Sequence, residues 1–101
     1  MLQLKEMKTL FAEHDVEGLI ALGAPRDEYD QEATNVAQKL KVVEFLEERI
    51  DYSAILKVLI EVWGKSFNLR GAELEIRRKD LSKLAGRVEE ICRNTRSKAK
   101  G

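Results

Sequence analysis

Residues 52–67, YSAILKVLIEVWGKSF, constrain the fold more than any other stretch. Ala54, Ile55, Leu56, Val58, Leu59, Ile60, Val62, Trp63 and Phe67 are apolar, and only Lys57, Glu61 and Lys65 mark an outer face. A helix that is hydrophobic on most sides must lie at the centre of a bundle or be covered in part by another chain. Asp51 or Ser53 caps its start with a side-chain oxygen, and Asn68 and Gly71 break the pattern after it.

Three more helical segments surround it in the sequence. The first covers about Leu2 to Ala12, where Leu4, Met7, Leu10 and Phe11 recur at helical spacing, and it ends near 13–15. Gly18 and Gly23 then interrupt the chain, with Leu19, Ile20 and Leu22 expected as an irregular or single-turn segment tucked into the core. The second helix is expected after Pro25, with Asp27 as N-cap and Asp30 at the capping-box position. Glu28, Asp30 and Glu32 complement its dipole. Its stripe reads Tyr29, Ala33, Val36, Leu40, Val43 and Leu46 or Phe45, ending near Ile50, as one long helix or as two with a kink at 40–42. The fourth helix runs about Ala72 to Arg93 on Leu74, Leu81, Leu84, Val88 and Ile91, with Arg77, Arg78, Lys83, Arg87 and Arg93 opposite. Residues 95–101 are expected to be a disordered tail.

These segments make an all-α protein, an irregular bundle of four to five helices in a single domain spanning 1–101. The length of 101 residues leaves no room for a second core. β-branched and aromatic runs bounded by turn residues are missing. A 44% hydrophobic and 36% charged composition suits amphipathic helices with solvated outer faces. The single cysteine, Cys92, cannot form an intramolecular disulfide. Lys5, Glu6 and Lys8 interrupt the start of the chain where a signal peptide needs an apolar run, and no apolar run is long enough to span a bilayer. A cytoplasmic protein with no membrane contact is expected.

The order Asp15, Gly18-Leu19, Gly23, Pro25, Asp27-Glu28-Tyr29-Asp30 and Glu32 resembles domain of unknown function 1871, a family of short all-helical proteins of Gram-positive bacteria. The string GAPRDEYD is the specific core of the likeness, which covers residues 2–67; Ser53 and the segment from Val62-Trp63 to Phe67 look like its second part. Val16 stands where the family has proline, and the basic helix from Gly71 has no counterpart in it. The resemblance implies an all-helical fold and no known activity. Similar small helical proteins lie beside toxin genes and look like immunity proteins, which bind and block a toxin.

Net charge is zero, but residues 1–67 carry a net of −5 and residues 68–101 a net of +5. Either the two surfaces compensate within the fold, or each serves a charged partner. The acidic candidates are Asp27, Glu28, Asp30 and Glu32, with Tyr29 among them. Glu28 and Glu32 stand at i and i+4 and are expected to share one helix face. Capping and dipole stabilisation explain these carboxylates without a metal, and a chain with one His and one Cys lacks the usual transition-metal ligands. Tyr29 reads either as a core aromatic with its hydroxyl at the rim or as a partner contact. Trp63 and Phe67 read either as core or as the anchor of a homodimer.

Catalytic constellations are absent. His14 has no nucleophile in a recognisable relation to it, the serines lack a glycine-flanked elbow, and no phosphate loop, dinucleotide fingerprint or zinc spacing occurs. No enzyme, no metal and no cofactor is expected. The leading expectation is a protein-binding module, immunity-like, that presents Asp27, Glu28, Tyr29, Asp30 and Glu32 to a basic partner surface. The alternative is a nucleic-acid-associated regulator using Arg77, Arg78, Lys83 and Arg87 on the fourth helix, although Glu73, Glu75, Asp80, Glu89 and Glu90 interleave with them.

Overall fold

The computed structural model describes residues 4–47 and 50–100, with side chains placed except at 47 and 94–100. The chain is all-α: α1 Leu4–His14, α2 Asp30–Glu47, α3 Tyr52–Ser66 and α4 Ala72–Lys100, with no strand among the described residues. The expected start of α1 at Leu2 lies outside them.

The apolar segment forms the centre. Ile55, Val58, Leu59, Val62 and Trp63 of α3 are buried, and α3 packs against both α2 and α4. α1 closes the bundle by packing on α2 and α4. Asp51, not Ser53, is the N-cap; its carboxylate accepts the Ala54 N–H at 2.8 Å. At the other end Asn68 takes a left-handed φ of 53° and the Leu69 N–H returns to the Gly64 carbonyl at 3.0 Å. That bond spans the last turn as in a Schellman ending, with asparagine in the position glycine usually fills.

α2 is one continuous helix through Leu40, which settles the choice between one helix and two. Its start differs from expectation. Asp27 is not the cap: the chain from Pro25 to Asp30 forms successive turns, with Glu28 N–H on the Pro25 carbonyl and Asp30 N–H on the Asp27 carbonyl, each 3.0 Å. The first helical residue is Asp30. Its far end differs too. Tyr29, Ala33, Val36 and Leu40 are buried as the stripe requires, but Phe45 and Leu46 are 85% and 70% exposed. The spacing explains why: Val43 continues the row and is half-buried, whereas Phe45 and Leu46 turn onto the outward side of the helix.

α4 buries Leu81, Leu84 and Val88 and half-buries Leu74 and Ile91. It runs to Lys100, past the expected end at Arg93 and through part of the tail expected to fray. The core gathers Phe11, Tyr29 and Trp63, each nearly inaccessible to solvent, around Met7, Leu40, Ile55, Leu59, Leu81 and Leu84. Each such burial contributes about 1.5–3 kcal/mol before conformational entropy is subtracted.

Candidate functional site

The stretch from Asp15 to Tyr29 is a loop by backbone and a scaffold by its hydrogen bonds. α1 ends where Asp15 adopts a left-handed φ of 44°, a conformation that aspartate tolerates better than most residues. A single helical turn follows, the Leu22 N–H reaching the Gly18 carbonyl at 3.1 Å. It closes when Ala24 N–H bonds the Leu19 carbonyl at 2.9 Å and Gly23 N–H bonds the Ile20 carbonyl at 3.0 Å. That pair of bonds is a Schellman ending, and Gly23 at φ 112° supplies the positive dihedral it needs. Leu19 and Ile20 tuck against the core as expected, whereas Leu22 is 85% exposed at the loop surface, contrary to expectation.

Two carboxylates fasten this loop. Asp15 accepts the Tyr29 hydroxyl at 2.6 Å and the N–H groups of Ile20 and Ala21 at 3.1 and 2.9 Å. The Tyr29 oxygen in turn accepts from Glu17 N–H at 3.2 Å and Leu19 N–H at 3.4 Å. One oxygen of Glu17 accepts both the Trp63 indole N–H and the Arg77 Nε–H, each at 2.9 Å. The Glu17 side chain is only 9% exposed. A carboxylate so buried requires partners of this quality: Arg77 balances its charge and the Trp63 N–H gives it a second donor. The network joins the loop to α2 through Tyr29, to α3 through Trp63 and to α4 through Arg77.

The rings complete it. Tyr29 and Trp63 stack with centroids 6.1 Å apart and an interplanar angle of 18°, while Phe11 and Phe67 meet the Trp63 ring at 5.6 and 5.5 Å. The electrostatics follow the geometry. The Tyr29 hydrogen bond holds the Asp15 carboxyl below its ordinary range, helped by the Ala21 and Ile20 N–H groups. Burial first, and Asp15 second, push the Tyr29 hydroxyl up to about 12. The hydroxyl therefore stays a donor at every physiological pH.

The five acidic-site candidates are divided by the fold. Tyr29 is buried with 1% exposure, so it is core and anchor, not a surface contact. Glu32 is also buried, on the inner side of α2; burial raises its pKa, with a smaller push from Glu28. Glu28 precedes the first helical residue, so the expected shared face with Glu32 does not form. Asp30 is half-buried and lies 3.7 Å from the Lys8 ammonium. Only Asp27 and Glu28 are freely exposed.

The basic candidates are divided likewise. Arg77 turns inward to Glu17 instead of standing on the outer face of α4. Arg87 pairs with Glu90 at 3.5 Å, and Arg93 beyond it pairs with Glu89 at 2.9 Å. Arg78 and Lys83 are exposed. His14, at the end of α1, is half-buried; burial first and the nearby Arg87 second lower its pKa. Trp63 lies inside the chain's own core with 1% exposure, so it is a core residue and not a surface anchor, while Phe67 is half-buried against it.

Glu17 makes the side-chain hydrogen bonds of longest sequence separation in the site, and the sequence alone does not single it out. Its partners stand 46 and 60 residues away. The only local signal is its place next to Gly18, inside the stretch that also holds Asp15 and Tyr29. Among the described residues no group of three His, Cys, Asp or Glu side chains could hold a metal ion, and no helix is long and apolar enough to cross a membrane. No family model, no curated protein and no solved structure matches the chain.

Proposed function

We propose that the protein is a non-enzymatic protein-binding module whose recognition element is the loop between α1 and α2. The observation that carries this reading is the inward fastening of that loop by Asp15, Glu17 and Tyr29, which leaves Leu22, Asp27 and Glu28 displayed on its outside. A loop already ordered in the free protein avoids much of the entropy cost of binding. An apolar side chain beside two carboxylates suits a partner with a small apolar recess in a basic surface, where charge complementarity speeds encounter and sets register. The residues that carry the likeness to domain of unknown function 1871 include Asp15, Gly23 and Tyr29 of this loop, although no family model matches the chain. An immunity-like role, blocking a basic toxin surface, is the form of this reading that the resemblance suggests.

The test is capture of partners from the native host with the wild-type protein and with the triple variant Leu22→Ser, Asp27→Lys, Glu28→Lys. The reading expects a stoichiometric basic partner with the wild type and its loss with the variant, whose thermal midpoint should be unchanged. Retention of the same partner by the variant rejects the loop as the recognition element. Nucleic-acid binding on α4 is the weaker proposal, because Arg77 and Arg87 are engaged by Glu17 and Glu90.

A further inference from the structure

Two carboxylates of this chain are withdrawn from solvent, and the fold treats them differently. Glu17 has Arg77 for its charge and the Trp63 N–H as a second donor. Glu32, in the first turn of α2, is 9% exposed, the most buried charged residue among those described. Among the described residues no cation pairs with it, and its own backbone N–H is its only hydrogen-bond donor. The one charge that acts on it is a second carboxylate, Glu28. Lys39, further along the same side of α2, is held by Glu61 at 3.3 Å. Burial disfavours the ionised form of Glu32 and Glu28 adds repulsion, so this carboxylate costs stability where Glu17 is compensated. Its placement calls for a reason outside the fold.

Glu32 is recessed but not sealed. Among the described residues every buried side-chain oxygen or nitrogen closed to solvent has a hydrogen-bond partner, so a Glu32 oxygen that its own N–H does not hold still reaches solvent. Glu28 is exposed, and its charge is near enough to act on Glu32. A group approaching this point meets one carboxylate at the surface and one below it, with no cation between them.

We propose that Glu28 and Glu32 form a receptor for one arginine side chain of the basic partner that the loop recognises, an inference that rests on the loop reading and names its deepest contact. Glu28 belongs to both features: it is displayed beside the loop and stands at the mouth of the recess. Two carboxylates at different depths suit a guanidinium, whose rigid fork of donors can serve both at once. An ammonium is more strongly hydrated and costs more to bring into a recess. The bound cation gives Glu32 the compensation that Arg77 gives Glu17. The partner thereby gains a charge-assisted contact at a position where the free protein has none.

Carbon-13 NMR of the glutamate carboxyl groups in the full chain, titrated with the peptide N-acetyl-Gly-Arg-Gly-amide, tests it. The Glu28 and Glu32 signals should shift together and saturate, and Glu32 should ionise at lower pH with the peptide bound. The corresponding lysine peptide should bind more weakly. The citrulline peptide, which keeps the shape of arginine and lacks its charge, should leave both signals in place. Glu32→Gln should weaken the arginine peptide at least about tenfold, the scale of a lost hydrogen bond to a charged group. Should that variant fold poorly, Glu28→Gln decides, since it too should weaken the peptide and its side chain is exposed. A Glu32 signal that the arginine peptide does not move, an equal response to citrulline, or binding indifferent to both variants overturns the proposal. Failure of the titration while the loop still captures its partner removes the receptor alone. A saturating titration beside a capture that Leu22→Ser and Asp27→Lys leave unchanged supports the receptor and removes the loop reading alone.

Discussion

Before the first turn of α2, Glu17 is a carboxylate with only 9% of its side chain exposed; near the last turn, Phe45 is a phenyl ring left 85% exposed. Each inverts the usual placement of its residue type, and the two inversions have different consequences. Glu17 is met by Trp63 and Arg77, both at 2.9 Å, so its burial is compensated within the chain. Phe45 and its neighbours Val42 and Leu46 have no such cover among the described residues, so the loop end is compensated within the chain while the far end of α2 stands as an exposed apolar patch.

Removing the ring at the centre of the loop end should have the largest effect. Trp63→Ala deletes the ring that Phe11, Tyr29 and Phe67 pack around and one of the two partners of Glu17. It should cost about 3–5 kcal/mol, read by urea unfolding at neutral pH. A loss below about 1 kcal/mol would mean the core does not depend on that ring. Tyr29→Phe keeps the ring and removes only the hydroxyl that links Asp15 to the Glu17 and Leu19 N–H groups. It should cost about 1–3 kcal/mol by the same measurement.

These two side chains also mark how far the sequence could be read. Four helices, the central place of α3 and the stripes of Met7, Phe11, Val36, Leu40, Leu81 and Leu84 were legible, because core packing imposes a 3.6-residue period that the sequence carries locally. Tyr29 was legible as a core aromatic with a polar partner for its hydroxyl, because it falls on the same stripe as Ala33 and Val36. The start of α2 was not, since Asp27 satisfies the local preference for a cap and only the turn geometry from Pro25 onward delays the first helical residue to Asp30. The inward turn of Arg77 was hidden, because its partner Glu17 is distant in sequence. The expected end of the buried stripe at Leu46 or Phe45 fails because α2 is apolar on two sides near its end, and periodicity cannot say which side meets the core.

Acid should separate two carboxylates that the fold treats oppositely. Asp15 is held below its ordinary value near ~4, so as pH falls through that range the unfolded chain takes up the proton first and stability is lost. Glu32 is raised by burial, so as pH falls through its raised value the folded chain takes up the proton first and stability is gained. Thermal midpoints followed from neutral pH downward should show Asp15→Asn with a flatter acid-side decline than the wild type. Glu32→Gln should decline more steeply, while at neutral pH it should be at least as stable as the wild type. Parallel curves for all three proteins would mean that neither carboxylate is coupled to folding.

The smallest effects on stability belong to the displayed residues. Asp27→Lys and Glu28→Lys should each change stability by less than about 0.5 kcal/mol, because both side chains are exposed. A larger loss in unfolding experiments would show that these carboxylates hold the turns before α2 and are not free for a partner.

The claim beneath the whole comparison is that the loop is fastened from within. Amide hydrogen exchange at Glu17, Leu19, Ile20 and Ala21 tests it most directly, since these four N–H groups donate to Tyr29 or Asp15 side chains outside any regular helix. Protection close to that of α1 in the wild type, lost at Glu17 and Leu19 in Tyr29→Phe and at Ile20 and Ala21 in Asp15→Asn while α3 stays protected, is the expected result. Exchange of those four amides in the wild type at the rate of an unstructured peptide would contradict it.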